Sequence, residues 1–474
     1  MLPVSLKRSG PPTRLPFKAR PTEPQADDNL QKARANPSDG KLQAVLGAMA
    51  SLALTLAPQA AEAATETFFP ISEDLVSGQN QMMLMQAQQM QQMQQMANQL
   101  SVGQPFGKQM EGAIPAGSLL ISDGFAPMEV GLPAHGQVVD RAAEEMGFRG
   151  QVFTDEQPAS MASRTAQNSL HELGTPNLNK DDVRRYLASY AEGTARGLVE
   201  TQITAAHRAI ESGARHSTLN ISSGTSKARL TNDLYQMAAL SWTAEDPEVA
   251  ETGDIFLENY ATAFELNTDK LKSNDPGISG LERKKLQQGL IDHVSSTLDN
   301  SRELAQAKQE WKGVVSEFEG RHNSVVVSVG NQGDLLREFK KDNLGLDLQV
   351  PEGFEDNVLA NDEVTTVGAT RWFRTDNGLR EYQANYNSNS DQTDIYASGS
   401  VAWNTPEQAD IWGSSFSAPR VSVTMAQLHK DNPDLSSDQV EALMKKSLTH
   451  ELETESGSIT VLDYHLASDY LVGR

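Results

Sequence analysis

Beyond residue 113 the chain alternates short runs rich in β-branched and aliphatic residues with longer amphipathic stretches. The runs are SLLIS at 118–122, STLNIS at 217–222, SVVVSV at 324–329 and EVTTVG at 363–368. Length and composition of this kind predict buried strands. Between them, apolar residues recur every three to four positions over 181–212, over 282–298, where Leu286, Leu290, Val294 and Leu298 share one face, and over 302–318. That period predicts helices. Strand and helix in alternation predict an α/β domain, a doubly wound and mainly parallel sheet with helices on both faces. Sites in such sheets gather at the carboxyl ends of the strands.

The first 112 residues have a different texture. Residues 1–40 carry seven prolines and seven Lys or Arg against four Asp or Glu, the composition of a disordered basic tail. Residues 41–64 join Lys41 to an Ala-rich apolar stretch ending Ala-Glu-Ala, the order of features in an export signal; an amphipathic helix is the competing reading. Residues 65–112 include QNQMMLMQAQQMQQMQQMANQL at 79–100, with ten Gln and six Met, expected to be a linker or pro-segment. The remaining residues, 113–474, form the expected folded domain. The signal-like segment 41–64 predicts a secreted or cell-envelope protein, with a cytoplasmic one as the alternative.

Composition removes several chemistries. The chain has no cysteine, so zinc-thiolate sites, disulfides and thiol nucleophiles are excluded. A net charge of −23 opposes nucleic acid and anionic membrane surfaces as partners. No apolar run approaches the ~18 residues a membrane-spanning helix needs, so stable membrane insertion is not expected. Phosphate-loop, HExxH and EF-hand patterns are absent, as is a Gly-x-Ser-x-Gly elbow around Ser415.

The informative stretch is Gly413-Ser414-Ser415-Phe416-Ser417-Ala418-Pro419. It predicts a hydroxyl at the start of a helix, glycine just before it and proline in the first turn, with helix N–H groups aimed at whatever the hydroxyl attacks. Taken alone, it is also an ordinary Ser-rich helix cap. These residues resemble the nucleophile motif Gly-Thr-Ser-x-Ala-x-Pro of the subtilisin-like serine peptidases (subtilases, peptidase family S8), with Ser414 in the place of Thr and Ser417 in the place of Ala. The likeness continues through a small-residue helix at 421–429 and a Pro-bearing loop at Asn432-Pro433.

The resemblance then assigns further residues. Ser415 takes the nucleophile position. Asn331, at the end of VVVSVGNQG (325–333), takes that of the oxyanion-hole amide, although Gly-Asn is by itself a common turn pair. A single donor of this type is worth about 3 to 4 kcal/mol in subtilisin itself. Ser222, Ser223 and Gly224, in TLNISSG (218–224), match the segment whose backbone pairs with substrate. His135 lies in His-Gly-Gln-Val-Val, similar to the family's His-Gly-x-x-Val, and is the implied general base. Asp123, ending SLLISDG, is the implied orienting carboxylate; the order Asp, His, Ser is that of subtilisin. Likenesses at Val367-Gly368-Ala369 and 394–399 extend the match over most of residues 113–474.

Departures from the family pattern are also legible. Asp123 and His135 are closely spaced, Asp140 replaces a glycine after the histidine motif, and Ser398 replaces a proline. Between Gly224 and Asn331 lie 106 residues, which implies a largely helical insertion at about 225–300, near the substrate cleft or its rim. The implied function is a serine endopeptidase working through an acyl-enzyme on protein or peptide substrates. The alternative is a catalytically silent relative that binds peptides or a partner through the same groove. No cofactor is required; structural calcium is frequent in the family, and no metal ligand is assigned here. An inhibitor or the chain's own pro-segment is a further expected partner, and a monomer is the expected state.

Overall fold

The computed structural model describes residues 114–124, 134–156, 160–333, 348–375, 378–384, 387–388, 392–402, 410–454 and 457–473. The basic tail, the signal-like segment and the Met/Gln stretch, residues 1–112, lie outside them.

The first strand, β1 (Leu119–Asp123), leads to α1 (His135–Glu145) and β2 (Val152–Glu156). Two helices follow, α2 (Met161–Leu173) and α3 (Lys180–Glu211), and then β3 (Thr218–Ile221). The next stretch is all helical: α4 (Lys227–Thr243), α5 (Pro247–Phe264), α6 (Thr268–Leu271), α7 (Pro276–Asn300) and α8 (Arg302–Glu319). Strands β4 (Ser324–Ser328), β5 (Thr365–Thr375), β6 (Gly378–Gln383), β7 (Ile395–Ser398), β8 (Ser400–Ala402) and β9 (Asp410–Trp412) follow in turn. The chain closes with α9 (Ser414–Asp431), α10 (Ser437–Ser447), the hairpin β10 (Thr449–Thr454) and β11 (Gly457–Leu462), and α11 (Tyr464–Val472).

The main sheet runs β10-β11-β7-β5-β4-β3-β1-β2, with β6 folded back on β5. Pairing is parallel from β2 across to β11; only the β5–β6 and β10–β11 ladders are antiparallel. All five residues of β1 and of β4 are buried, as strands covered on both faces must be. One face is covered by α2, α3, α4, α5, α7 and α8, whose apolar residues join Leu120, Leu219, Val325 and Val327 in a core containing Trp311, Phe256 and Tyr260. The other is covered by α1, α9, α10 and α11, packed on Leu119, Ile121, Val326 and Val367. The fold is therefore the α/β, doubly wound, mainly parallel arrangement that the alternation predicts.

One local reading holds and another changes. The helix expected over 181–212 is a single 32-residue helix, α3, started by Asn179, whose side chain caps Asp182 N–H, with Asp181 and Asp182 in the first turn against the helix dipole. Pro419 sits in the second turn of α9, not the first, so its missing N–H falls where a helical bond was due. The stretch 225–300 is helical, as expected, and forms α4 to α7.

Strand order fixes where a site can lie. From β1 the chain moves to β2 on one side and then to β3 on the other, so the winding direction reverses between β1 and β3. Such a reversal leaves a crevice at the carboxyl ends of those two strands.

Candidate active site

Asp123 is the last residue of β1 and His135 the first of α1, so both sit at that crevice. Asp123 is 1% exposed and His135 6%. The imidazole Nδ1 lies 2.9 Å from Asp123 Oδ1 and 3.0 Å from Oδ2, and Gly124 N–H donates to Oδ1 at 2.6 Å. The 12-residue spacing thus suffices: Gly136 N–H donates to Gly124 O at 2.9 Å, tying the helix start to the strand end. A carboxylate in this position fixes the Nδ1–H tautomer and leaves Nε2 as the basic nitrogen. Gln137 caps the helix by accepting from Ala134 N–H at 3.0 Å.

Ser415 is the second residue of α9, where the helix's own leading N–H groups lack intrahelical acceptors. Phe416, next to it, packs its ring 5.5 Å from that of His135. The structure thereby brings His135 beside the Ser415 turn. It does not join their side chains by a hydrogen bond: Ser415 Oγ donates to Ser222 O at 2.8 Å. The return bond, Ser222 Oγ to Ser415 O, is 2.7 Å. This second bond has a cause in the sequence. In an uninterrupted helix Ser415 O would accept from the N–H of residue 419, and Pro419 has none. The orphaned carbonyl is satisfied by Ser222 instead. Ser222 Oγ in turn accepts from Asn220 Nδ2 at 2.9 Å, so β3, the segment after it and α9 form one network.

Asn331 reaches the same turn from the far side. Its Oδ1 accepts from Ser414 N–H at 2.9 Å and from Ser414 Oγ at 2.8 Å. With Oδ1 so occupied, the amide nitrogen is the free end; it lies 3.3 Å from where a Cβ on Gly413 would be. Gly330, at φ +107°, makes the bend that turns Asn331 out of the strand line, and a side chain there would collide with Gln332 and Ser388. Ser223 and Gly224 continue β3 toward the helical stretch, and Gly224 O accepts from Arg229 Nη1 at 2.8 Å.

All seven residues singled out in the sequence therefore converge on one end of the sheet. Asp123 and His135 are bonded; Asn331 and Ser222 bracket the Ser415 turn. Sequence reasoning missed Ser222's grip on the Ser415 carbonyl and the link from Arg229 to Gly224. The first was signalled by Pro419, four residues after Ser415; the second had no sequence signal. Among the described residues no group of three or more His, Asp or Glu side chains is arranged to hold a metal ion, and no helix is long and apolar enough to cross a membrane.

A family model described as the subtilase family matches residues 197–461. No curated protein matches the chain significantly. Solved structures similar to it include a lanthipeptide protease, at 12% identity, a TM-score of 0.33 and coverage of 74% of this chain and 86% of that one. Another is MycP1 from Mycobacterium smegmatis, at 13% identity, a TM-score of 0.33 and coverage of 78% and 83%.

Proposed function

The chain belongs to the subtilase family of serine peptidases, and from that premise we propose that it is an endopeptidase using Asp123, His135 and Ser415 as its triad. The observation that carries the reading is the buried Asp123–His135 pair set against the Ser415 turn. For reaction, Ser415 Oγ leaves the Ser222 carbonyl by rotation about χ1 and turns toward His135 Nε2. Oγ then attacks the scissile carbonyl carbon while its proton passes to Nε2. The carbonyl oxygen becomes an oxyanion, held by Asn331 Nδ2 and the Ser415 N–H. Collapse breaks the C–N bond, the imidazolium returns the proton to the leaving amine, and water releases the acyl group by the same steps with His135 again as base.

Substrate would pair its backbone with Ser222, Ser223 and Gly224, which gives affinity with little sequence preference. The acidic surface implied by a net charge of −23 favours basic polypeptides. No metal or organic cofactor takes part in these steps. Export and a monomeric state belong to the same reading; N-terminal sequencing of the native protein and its mass in solution test them.

A second reading is a peptide-binding relative without turnover, favoured by one observation, the bond of Ser415 Oγ to Ser222 O in place of His135. A fluorophosphonate probe separates the two. The enzyme labels covalently and Ser415→Ala abolishes the label. A folded wild type that neither labels nor cleaves casein would establish the second reading.

A further inference from the structure

The helical stretch after β3 reaches back to the substrate edge through one side chain. Ser226 caps α4 by accepting from Arg229 N–H at 3.1 Å, which places Arg229 in the first turn with its guanidinium directed at the segment just before the helix. Arg229 Nη1 donates to Gly224 O at 2.8 Å. Its Nε lies 3.9 Å from Asp233 Oδ2, one turn along, and the two side chains are 14% and 10% exposed. A guanidinium in such a site is costly to bury unless each of its partners is fixed. Its bond to a backbone carbonyl is charge-assisted and stronger than a neutral one.

Neighbouring groups hold the rest of the same segment. Ser222 O accepts from Ser415 Oγ, and Thr225 O accepts from Val358 N–H at 2.9 Å. Gly224 is pressed against Asn357, whose Nδ2 would stand 2.3 Å from a Cβ there and which donates to Ser328 O at the end of β4. Only glycine fits that gap. Arg229 is thus the one contact among these that comes from the helical stretch, and it fixes the plane of the peptide that follows Gly224. A carbonyl oxygen has two lone pairs, so Gly224 O can hold Arg229 on one and still accept a substrate N–H on the other.

We propose that Arg229 is a positioning residue for extended substrates, through which the helical stretch sets the backbone edge at Ser222, Ser223 and Gly224. The proposal rests on the reading of that edge as the substrate strand. Its consequence is selective: substrates long enough to pair with Gly224 depend on Arg229, and substrates ending at the scissile residue depend on it far less.

The test compares a tetrapeptide nitroanilide with a single-residue ester. In Arg229→Met, kcat/KM for the tetrapeptide falls at least tenfold further than for the ester, chiefly through KM, and Arg229→Lys recovers part of the loss. The double variant Arg229→Met/Asp233→Asn removes the carboxylate left unpaired and keeps the fold, which thermal melting checks. Equal losses on both substrates, or none, in folded protein would overturn the proposal. A binding experiment separates its failure from that of the endopeptidase reading: anisotropy of a labelled hexapeptide on the Ser415→Ala protein. Arg229→Met in that background weakens binding at least tenfold, whether or not the wild type turns over; unchanged affinity overturns the positioning role.

Discussion

Replacing Asp123 by Asn exchanges one oxygen for an NH2 group and removes the charge proposed to orient His135 as the base. The geometry dictates how the amide must sit. Gly124 N–H donates to Oδ1 at 2.6 Å, so an Asn keeps its oxygen there, because the flipped amide would set two donors face to face. Its NH2 group then occupies the Oδ2 position, 3.0 Å from His135 Nδ1. The retained oxygen, 2.9 Å from Nδ1, already accepts from Gly124 N–H and carries no charge, while the NH2 group opposes an Nδ1–H, so the balance shifts to Nδ1 as the acceptor with the ring proton on Nε2. Nε2, the nitrogen proposed to take the Ser415 proton, is then a donor and cannot do so. The same exchange in a Ser-His-Asp triad on another fold lowers kcat roughly 10⁴-fold, about 5.5 kcal/mol, and a loss of that size is expected here. Stability should change little, since Asn conserves shape and the bonds to Gly124 and Nδ1. The assay is steady-state cleavage of a chromogenic peptide, with fluorophosphonate labelling rate and thermal melting alongside. A folded Asp123→Asn protein that keeps more than a tenth of wild-type kcat would refute the assignment of this pair as orienter and base.

Two further outcomes follow from other sites. Asn331→Asp keeps the oxygen that accepts from Ser414 but replaces the Nδ2 donor by a second oxygen, so kcat should fall at least ~10²-fold with KM within a few-fold, measured on the same peptide; an unchanged kcat would remove Asn331 from the oxyanion site. His429 is wholly buried, accepts or donates at Ser324 Oγ 2.7 Å away, and burial, aided by the nearby His216 and His322, pushes its pKa down to about 4. A histidine depressed in the folded state contributes stability that is full above its unfolded value near 6.5 and is lost as pH falls through about 4. The loss is about 3 kcal/mol between pH 7 and pH 4. Glu319, pushed up to about 7 by burial, acts in the opposite sense, its contribution being full below about 4.5 and lost as pH rises through 7. His429→Gln should therefore flatten the acid limb of stability: urea melts at pH 7 and pH 4 differ less in the variant than in the wild type, and parallel limbs would contradict the account.

Much of the site was legible because its signals are local. A buried parallel strand reads as a continuous run of β-branched residues, and Ser-Val-Val-Val-Ser and Leu-Leu-Ile-Ser-Asp announce β4 and β1 without reference to anything distant. Gly413-Ser414-Ser415 and His135-Gly136 mark helix starts through their immediate neighbours. The strands β2 and β6 to β11 were not anticipated, since edge and short strands carry mixed polar patterns that resemble loops.

What the sequence by itself determined is the cast of residues: strand ends bearing Asp123, Ser222 and Asn331, helix starts bearing His135 and Ser415, and a proline four residues beyond Ser415. Only the tertiary structure decided how they meet. The bond between Asp123 and His135 spans 12 residues, whereas the two between Ser222 and Ser415 span 193. The latter depend on strand order, on the reversal of winding between β1 and β3, and on the carbonyl that Pro419 leaves open. Arg229 lies closer still in sequence to its partner, yet its role depends on the fold as well: the first turn of α4 must point back at Gly224, and a buried carboxylate must stand beside the guanidinium to hold it there. A side chain's type is written in the chain, but its hydrogen-bond partner is set by which backbone atoms the packing leaves unsatisfied.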